Sequence, residues 1–175
     1  ALEQVDLWNV VENVVETVAP TAKKLNVRLE LNIDCDLPRE AATDAGRLRQ
    51  VLLNLVGNAV KFTAQKKGGT APLVELSART GKNGQVEFRV IDNGIGIAQD
   101  AQARLFQPFY QAYETDSRLI SGTGLGLAIS HDLVKMMGGR ISVKSELGAG
   151  ATFTVKLPLI DQQRAAESPD MTIEG

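Results

Sequence analysis

At 175 residues the chain is long enough for one domain with a proper core and too short for two comfortable ones. Its composition is ordinary for a globular protein, and a net charge of -2 gives no electrostatic reason to expect nucleic acid or an anionic membrane as a partner. The single cysteine excludes an internal disulfide framework, and no apolar run reaches the length of a membrane span.

The first predicted elements are a helix and a strand. Valines recur with helical spacing over residues 6–25 and predict a helix, in which Pro20 predicts a kink or a division. The N-terminal stretch is amphipathic and acidic, which is not the pattern of a signal peptide. Strict alternation over residues 27–33 then predicts a half-buried strand.

The second predicted helix begins after Thr43 or Asp44, either of which is a suitable N-cap, and runs to about residue 62. One face is apolar, and another carries polar residues at helical spacing: Arg47, Asn54, Asn58 and Lys61. Two asparagines one turn apart are unexpected, because asparagine is a mediocre helix former. This face is either solvated or a cation-and-phosphate site, since amide oxygens suit Mg²⁺.

The next predicted elements are strands over residues 73–80 and 85–92, joined by a hairpin turn at "GKNG". Asp92 ends the second strand, and Gly94 and Gly96 follow it. A carboxylate at a strand end can accept a hydrogen bond from an amino group, and glycines allow the backbone to approach a ligand closely. The alternative is a simple Asp-Asn-Gly turn.

Regular patterning weakens over residues 93–121, which predicts a functional or mobile loop. Gly122, Gly124 and Gly126 then open a predicted helix that ends at Gly138. Amides at a helix N-terminus can bind an anion, although the pattern is neither a Walker A motif nor a dinucleotide fingerprint. Two last strands flank "LGAG", so the element order predicts an α+β sandwich with helices on one face of a mixed sheet.

Four motifs in this order resemble those of sensor histidine kinases. "NLVGNAVKFT", "VIDNGIGI", "LFQPFYQ" and "GTGLGLAIS" are similar to the N box, first glycine box, F box and second glycine box of that family. The resemblance covers roughly residues 5–159 and is to the catalytic ATP-binding domain. It implies the Bergerat fold of the GHKL ATPases, a two-layer sandwich of a mixed, mostly antiparallel sheet covered on one face by helices, with a mobile ATP lid.

The resemblance also implies roles for the site residues. Asn58 would coordinate Mg²⁺ with help from Asn54, Lys61 would contact phosphate, and Asp92 would accept a hydrogen bond from the adenine amino group of ATP. The lid would span about 97–125. Residues expected to anchor the lid or to bind the phosphates are Phe106, Phe109, Arg118, Gly122, Thr123, Gly124, Leu125 and Gly126.

The sequence departs from the family pattern near its end. Ala151 stands where a hydroxyl residue commonly follows the glycines of the last hairpin, which leaves Thr152 as the candidate adenine contact. Paired glycines often precede the second glycine box, whereas this chain has Ile120 and Ser121 there.

The implied function is that of a protein-histidine kinase, which donates the γ-phosphate of Mg-ATP to a histidine on a separate domain in two-component signal transduction. Related hydrolysing ATPases carry Glu where this chain has Asn54, and an amide cannot act as a general base. His131, the only histidine, lies outside the acceptor motif of the family. The alternatives are a clamp-type ATPase that hydrolyses ATP and a non-catalytic nucleotide-binding sensor or scaffold module.

These expectations define residues 1–159 as the catalytic domain, with the first few residues a linker from an upstream helical domain, and 160–175 as a polar tail. The expected partners are that upstream dimerisation and phosphoacceptor domain and a response regulator or receiver domain downstream. No nucleic acid and no direct membrane contact are expected. The domain is expected to be cytoplasmic and monomeric by itself, within a homodimeric parent for which an inner-membrane anchor stays open because the chain begins at Ala1 rather than Met.

Overall fold

The computed structural model describes residues 2–107 and 126–158. The helices in these ranges are α1 (Leu7–Lys24), α2 (Ala45–Ala64), the short α3 (Gln99–Gln102) and α4 (Gly126–Met136). The strands in these ranges are β1 (Glu3–Asp6), β2 (Arg28–Ile33), β3 (Glu40–Thr43), β4 (Leu73–Thr80), β5 (Val86–Asp92), β6 (Arg140–Glu146) and β7 (Gly150–Leu157).

Five of the strands form one mixed sheet in the order β2-β4-β5-β7-β6. The β2 and β4 strands run parallel, whereas the other neighbouring pairs are antiparallel. This agrees with the predicted mixed, mostly antiparallel sheet, and the hairpins at "GKNG" and "LGAG" both form.

The helices cover one face of this sheet. Alternate residues of β4 are completely buried, namely Val74, Leu76 and Ala78, while the residues between them are half-buried on the other face. The helix α2 packs against β4 and β5, α1 against β2, and α4 against β6. The fold is therefore a helical layer on a sheet, and α2 lies over its centre.

Both long helices begin where short side chains favour it. The Asp6 and Asp44 carboxylates each accept a hydrogen bond of 3.0 Å from the backbone N–H three residues later, which caps α1 and α2. Asp44, rather than Thr43, is thus the N-cap of α2. Pro20 does not divide α1, which continues to Lys24.

The sequence analysis did not predict three short elements. The strands β1 and β3 pair with each other in a separate antiparallel sheet, and α3 lies where only a loop was expected. Each has four residues, too few for a period of 2 or 3.6 to be recognised. No helix within the described ranges is both long and apolar enough to cross a membrane.

Candidate functional site

Asp92 forms one end of the candidate site. It pairs in the sheet with Val74 and Ala151, which are both buried, so its side chain lies on the helix-covered face. Its Oδ1 atom accepts hydrogen bonds from the backbone N–H groups of Gly94, at 2.9 Å, and Ala151, at 3.2 Å. Both hydrogen bonds hold the same oxygen, which leaves Oδ2 available to a donor on a ligand.

The surroundings of Asp92 are only partly favourable to its charge. Burial raises the pKa of the carboxyl, and the two backbone N–H groups, the Thr63 hydroxyl and the charge of Lys66 offset only part of this effect. The buried hydroxyl of Thr63 lies beside the carboxylate and, as a potential donor, also acts to lower its pKa, although it makes no well-formed hydrogen bond there among the described residues. The second carboxylate oxygen, Oδ2, thus keeps capacity to accept a hydrogen bond from a ligand.

Gly94 allows α2 to approach the end of β5. A Cβ atom at this position would lie 2.9 Å from the Cα atom of Thr63 and 3.1 Å from Oδ1 of Asp92. Any side chain here would separate the helix from the carboxylate. The close packing therefore explains why the first glycine box has glycine at this position, as a contact requirement rather than a turn requirement.

Lys66 and Asn93 hold the loops around Asp92, and the sequence analysis assigned neither of them a role. The Nζ atom of Lys66 donates hydrogen bonds of 3.0 Å to the backbone oxygens of Asn93 and Gly148. The Asn93 side chain accepts from the N–H of Leu73 at 2.8 Å and donates to the oxygen of Ala71 at 2.8 Å. The capacity of Asn93 for such bonds could have been inferred from its place beside Asp92, but the partners depend on the tertiary fold.

A second set of hydrogen bonds holds the loop after Asp92 against the last hairpin. The hydroxyl of Ser145 accepts from the N–H of Ile97 at 2.8 Å and donates to the oxygen of Gly150 at 2.7 Å. The side chain of Gln102 donates to the oxygens of Ile97 and Ser145, both at 2.9 Å. Gly96 lies so close to the backbone of Glu146 that a Cβ atom would collide with it.

The α2 residues that were predicted to bind metal and phosphate share the face of the helix next to this site. Asn54, Asn58 and Lys61 are each half-buried, whereas the core residues Leu55, Val56, Ala59 and Val60 lie between them along the chain. Asn54 donates a hydrogen bond of 2.9 Å to the hydroxyl of Ser130 in α4. A Cβ atom at Gly126 would lie 2.5 Å from Oδ1 of Asn54, so the start of α4 rests on this amide.

The site is elongated. The Thr63 end contacts Asp92, and the Asn54 end contacts α4, and these two residues are about 13 Å apart along α2 at the helical rise of 1.5 Å per residue. One end offers a carboxylate acceptor, and the other offers amides beside a helix N-terminus, which favours negative charge.

Phe106, a predicted anchor of the lid, packs against α4. Its ring stacks on that of His131 with the ring centroids 5.3 Å apart and the planes 28° from parallel. His131 is therefore a half-buried packing partner of Phe106. The Nδ1 atom of His131 is 3.6 Å from the carboxylate of Asp132.

Thr152 is not brought to Asp92. It pairs with Ile91 and Lys144, and the strand alternation puts its side chain on the sheet face opposite to that of Asp92. Its neighbour Ala151 is the residue that contacts the carboxylate, through its backbone. The expected residues Phe109, Arg118, Gly122, Thr123, Gly124 and Leu125, with most of the lid, lie outside the described residues, as does the tail.

The residues present fit a magnesium nucleotide. No group of three or more His, Cys, Asp or Glu side chains that could hold a metal ion occurs within residues 2–107 and 126–158. A cation at the α2 face would thus be bound through amide oxygens, water and ligand phosphates, which is a donor set that Mg²⁺ accepts. The open Oδ2 of Asp92 fits an amino-bearing base at the other end.

Comparison with known proteins shows similarity to nucleotide-dependent enzymes of one family. Residues 43–161 match the family described as histidine kinase-, DNA gyrase B-, and HSP90-like ATPase. The signal transduction histidine-protein kinase BarA of Escherichia coli strain K12 is 40% identical over 169 residues, which are 97% of this chain and 18% of BarA. The chain therefore spans less than a fifth of that relative.

Solved structures agree as well. Full-length ShkA, solved in complex with AMPPNP, is 40% identical with a TM-score of 0.78, and the match covers 91% of this chain and 31% of ShkA. The catalytic domain of histidine kinase ThkA is 23% identical with a TM-score of 0.73, and the match covers 90% of this chain and 95% of that domain, which shows likeness of fold. The predicted family and the α+β fold are both confirmed.

Proposed function

The chain belongs to the family of histidine kinase-, DNA gyrase B- and HSP90-like ATPases, and from this premise we propose that it is the catalytic domain of a protein-histidine kinase. It binds Mg-ATP and donates the γ-phosphate to a histidine on a separate domain in two-component signal transduction. The observation that carries the proposal is the carboxylate of Asp92, which is fixed through one oxygen and open through the other, at one end of an elongated site with amides at the opposite end.

Each end of the site has its own task. Asp92 accepts a hydrogen bond from the exocyclic amino group of adenine, which selects adenine over a base with a carbonyl oxygen there. Asn58, with Asn54, would hold Mg²⁺, and Lys61 would bind a phosphate oxygen. The metal would supply positive charge that stabilises the phosphates during transfer.

The transfer needs no base on this chain. The imidazole nitrogen of the acceptor histidine forms a bond to the γ-phosphorus, the bond from that phosphorus to the bridging oxygen breaks, and ADP leaves. Asn54 stands where a hydrolase of the family has glutamate, and its amide cannot remove a proton from water at neutral pH. This favours transfer over hydrolysis.

We also propose the partners of this domain. The chain corresponds to only 18% of BarA, which is named a signal transduction histidine-protein kinase, and this supports an acceptor histidine in another region of a longer protein. That region is a dimerising helical domain, and a response regulator or receiver domain takes the phosphate next. The domain itself works in the cytoplasm, where Mg-ATP is available, with no nucleic acid and no direct membrane contact.

The test is incubation with ATP labelled at the γ-phosphate, with and without the helical histidine domain supplied as a separate polypeptide. We expect label on the added domain and little free phosphate. Steady phosphate release without protein label would instead support the clamp-type ATPase. Nucleotide binding with neither outcome would support the non-catalytic module.

Asn58→Ala separates the metal role from a structural one. Loss of a metal ligand should lower transfer by about 100-fold or more, because the charge on the phosphates loses its stabilisation. Asn32→Ala is a matched control, since Asn32 is exposed on β2 and far along the chain from the site. Equal transfer by the two variants would contradict the assignment of Asn58, and circular dichroism checks that both remain folded.

A further inference from the structure

Ser130 is a buried hydroxyl residue that ends the second glycine box, but neither the resemblance nor the proposed mechanism gives it a role. It lies in α4, one turn after Gly126, and is 1% exposed. Its Oγ atom accepts a hydrogen bond of 2.9 Å from Nδ2 of Asn54. The bond joins α2 and α4 across the phosphate end of the site.

The other side of the Asn54 amide faces the first turn of α4. The Oδ1 atom would be only 2.5 Å from a Cβ atom at Gly126, so the oxygen lies against this glycine where a side chain would not fit. N–H groups in the first turn of a helix have no partner inside the helix, and they carry the positive end of its dipole. The N–H groups and dipole of α4 therefore favour the oxygen on the Gly126 side, and the Ser130 hydroxyl, which can accept as well as donate, then bonds the amino group.

We propose that Ser130 is a positioning residue, which holds the Asn54 amide so that its oxygen, not its amino group, faces the phosphate end of the site. The inference rests on the role proposed for Asn54 in binding Mg²⁺. An amide can rotate by half a turn at little cost when neither end is held, and the amino group that it would then present is a donor that cannot ligate a cation.

The position of α4 matters for the same reason. This helix follows directly after the GTGL segment of the second glycine box, and Ser130 and Gly126 are both in its first five residues. When α4 is in the position described, both ends of the Asn54 amide have a suitable neighbour. A shift in the position of α4 would thus alter the hydrogen bonding of the Asn54 amide even if α4 made no new contact with the nucleotide.

The test compares Ser130→Ala with Ser142→Ala, an exposed serine on β6 that serves as the matched control. By titration, Ser130→Ala should weaken Mg-ATP binding about fivefold to tenfold, the effect of one lost buried hydrogen bond. It should leave ATP binding in excess chelator unchanged within about twofold, because only the metal-dependent part depends on the amide oxygen. Ser130→Thr, which keeps the hydroxyl oxygen, should retain most of the affinity.

A double-mutant cycle identifies the route of the effect. In an Asn54→Ala background, Ser130→Ala should cause no further loss, because Ser130 acts through Asn54. Equal losses in both backgrounds, or no loss in the wild-type background, would overturn the proposal. A residue with a merely structural role would lower affinity with and without Mg²⁺ alike.

A third measurement needs no nucleotide. Side-chain amide resonances of Asn54, observed by ¹⁵N-labelled NMR of the ligand-free chain, should move in Ser130→Ala and stay in Ser142→Ala. Unmoved resonances would contradict the hydrogen bond itself. Absence of phosphotransfer by the wild-type chain would overturn the kinase proposal, whereas these binding and NMR measurements would still decide the role of Ser130.

Discussion

Two acidic residues on β5 are held in opposite ways. Glu87 is 5% exposed, and its carboxylate is contacted by two cations, Arg79 at 2.8 Å and Arg89 at 3.1 Å. Asp92, at the other end of the strand, is held by two backbone N–H groups through one oxygen. Burial disfavours the charge of both carboxylates, and only their partners differ.

The consequence is opposite shifts of pKa. Burial acts to raise the pKa of Glu87, but the hydrogen bonds and charges of the two arginines outweigh it, so the pKa is lowered. Burial also acts on Asp92, whose weaker partners do not compensate, so its pKa is raised. A buried carboxylate with complete partners belongs to the structure, whereas one with unused capacity is available to a ligand.

The largest expected effect concerns nucleotide affinity. Asp92→Asn should weaken ATP binding by about 10- to 100-fold, since a hydrogen bond to a charged group contributes about 1.5–3 kcal/mol. Glu87→Gln should leave the affinity unchanged within about twofold, because Glu87 lies on the opposite face and at the opposite end of β5. Isothermal titration measures both, and an equal loss in the two variants would remove the distinction.

The free energy of unfolding should depend on Glu87 more than on Asp92, the reverse of the order expected for ATP affinity. Glu87→Gln should lower the free energy of unfolding by about 1–2 kcal/mol, a value kept small because Arg79 and Arg89 remain partly exposed to solvent. Asp92→Asn should raise the free energy of unfolding by up to about 1 kcal/mol, because the desolvated charge is removed while an acceptor oxygen remains. Urea denaturation at neutral pH gives both values, and a less stable Asp92→Asn protein would contradict the comparison.

The pH dependence should separate the two carboxylates by sign. The pKa of Glu87 is below its ordinary value of 4.5, so its contribution to stability is present above that pH and is lost as pH falls through the pKa of the folded state. The pKa of Asp92 is above its ordinary value of 3.8, so its contribution is present below that pH and is lost as pH rises. From about pH 3.5 to about pH 7, the wild type should therefore gain stability relative to Glu87→Gln and lose it relative to Asp92→Asn in urea titrations.

The smallest expected change in ATP affinity concerns Lys66, the cation whose charge acts on Asp92. Lys66→Met should raise the pKa of Asp92 further and loosen the loops that Lys66 joins, with a loss of ATP affinity of about threefold. Lys67→Met, at the exposed neighbouring position, should have no effect. If both variants bind ATP as tightly as the wild type, Lys66 has no part in the site.

The sequence predicted the long elements well because their periods are long enough to recognise. Five strands of six to eight residues and the helices α1, α2 and α4 lie where the pattern of apolar residues indicated. Asp92 and the α2 amides were proposed as site residues from motif order, which depends on local chemistry. Thr152 shows the limit, because its spacing in the last hairpin could not indicate that its side chain lies on the sheet face opposite to that of Asp92.

The sequence by itself determined the family, the order of the long elements and the residues with suitable chemistry. Only the tertiary structure decided the contacts between elements. Lys66 and Asn93 hydrogen-bond to neighbouring loops, Ser130 accepts a hydrogen bond from Asn54, and Phe106 stacks on His131. The physical reason is that periodicity and spacing describe neighbours along the chain. These contacts join residues from different elements, and their hydrogen bonds form only after the helices have packed on the sheet.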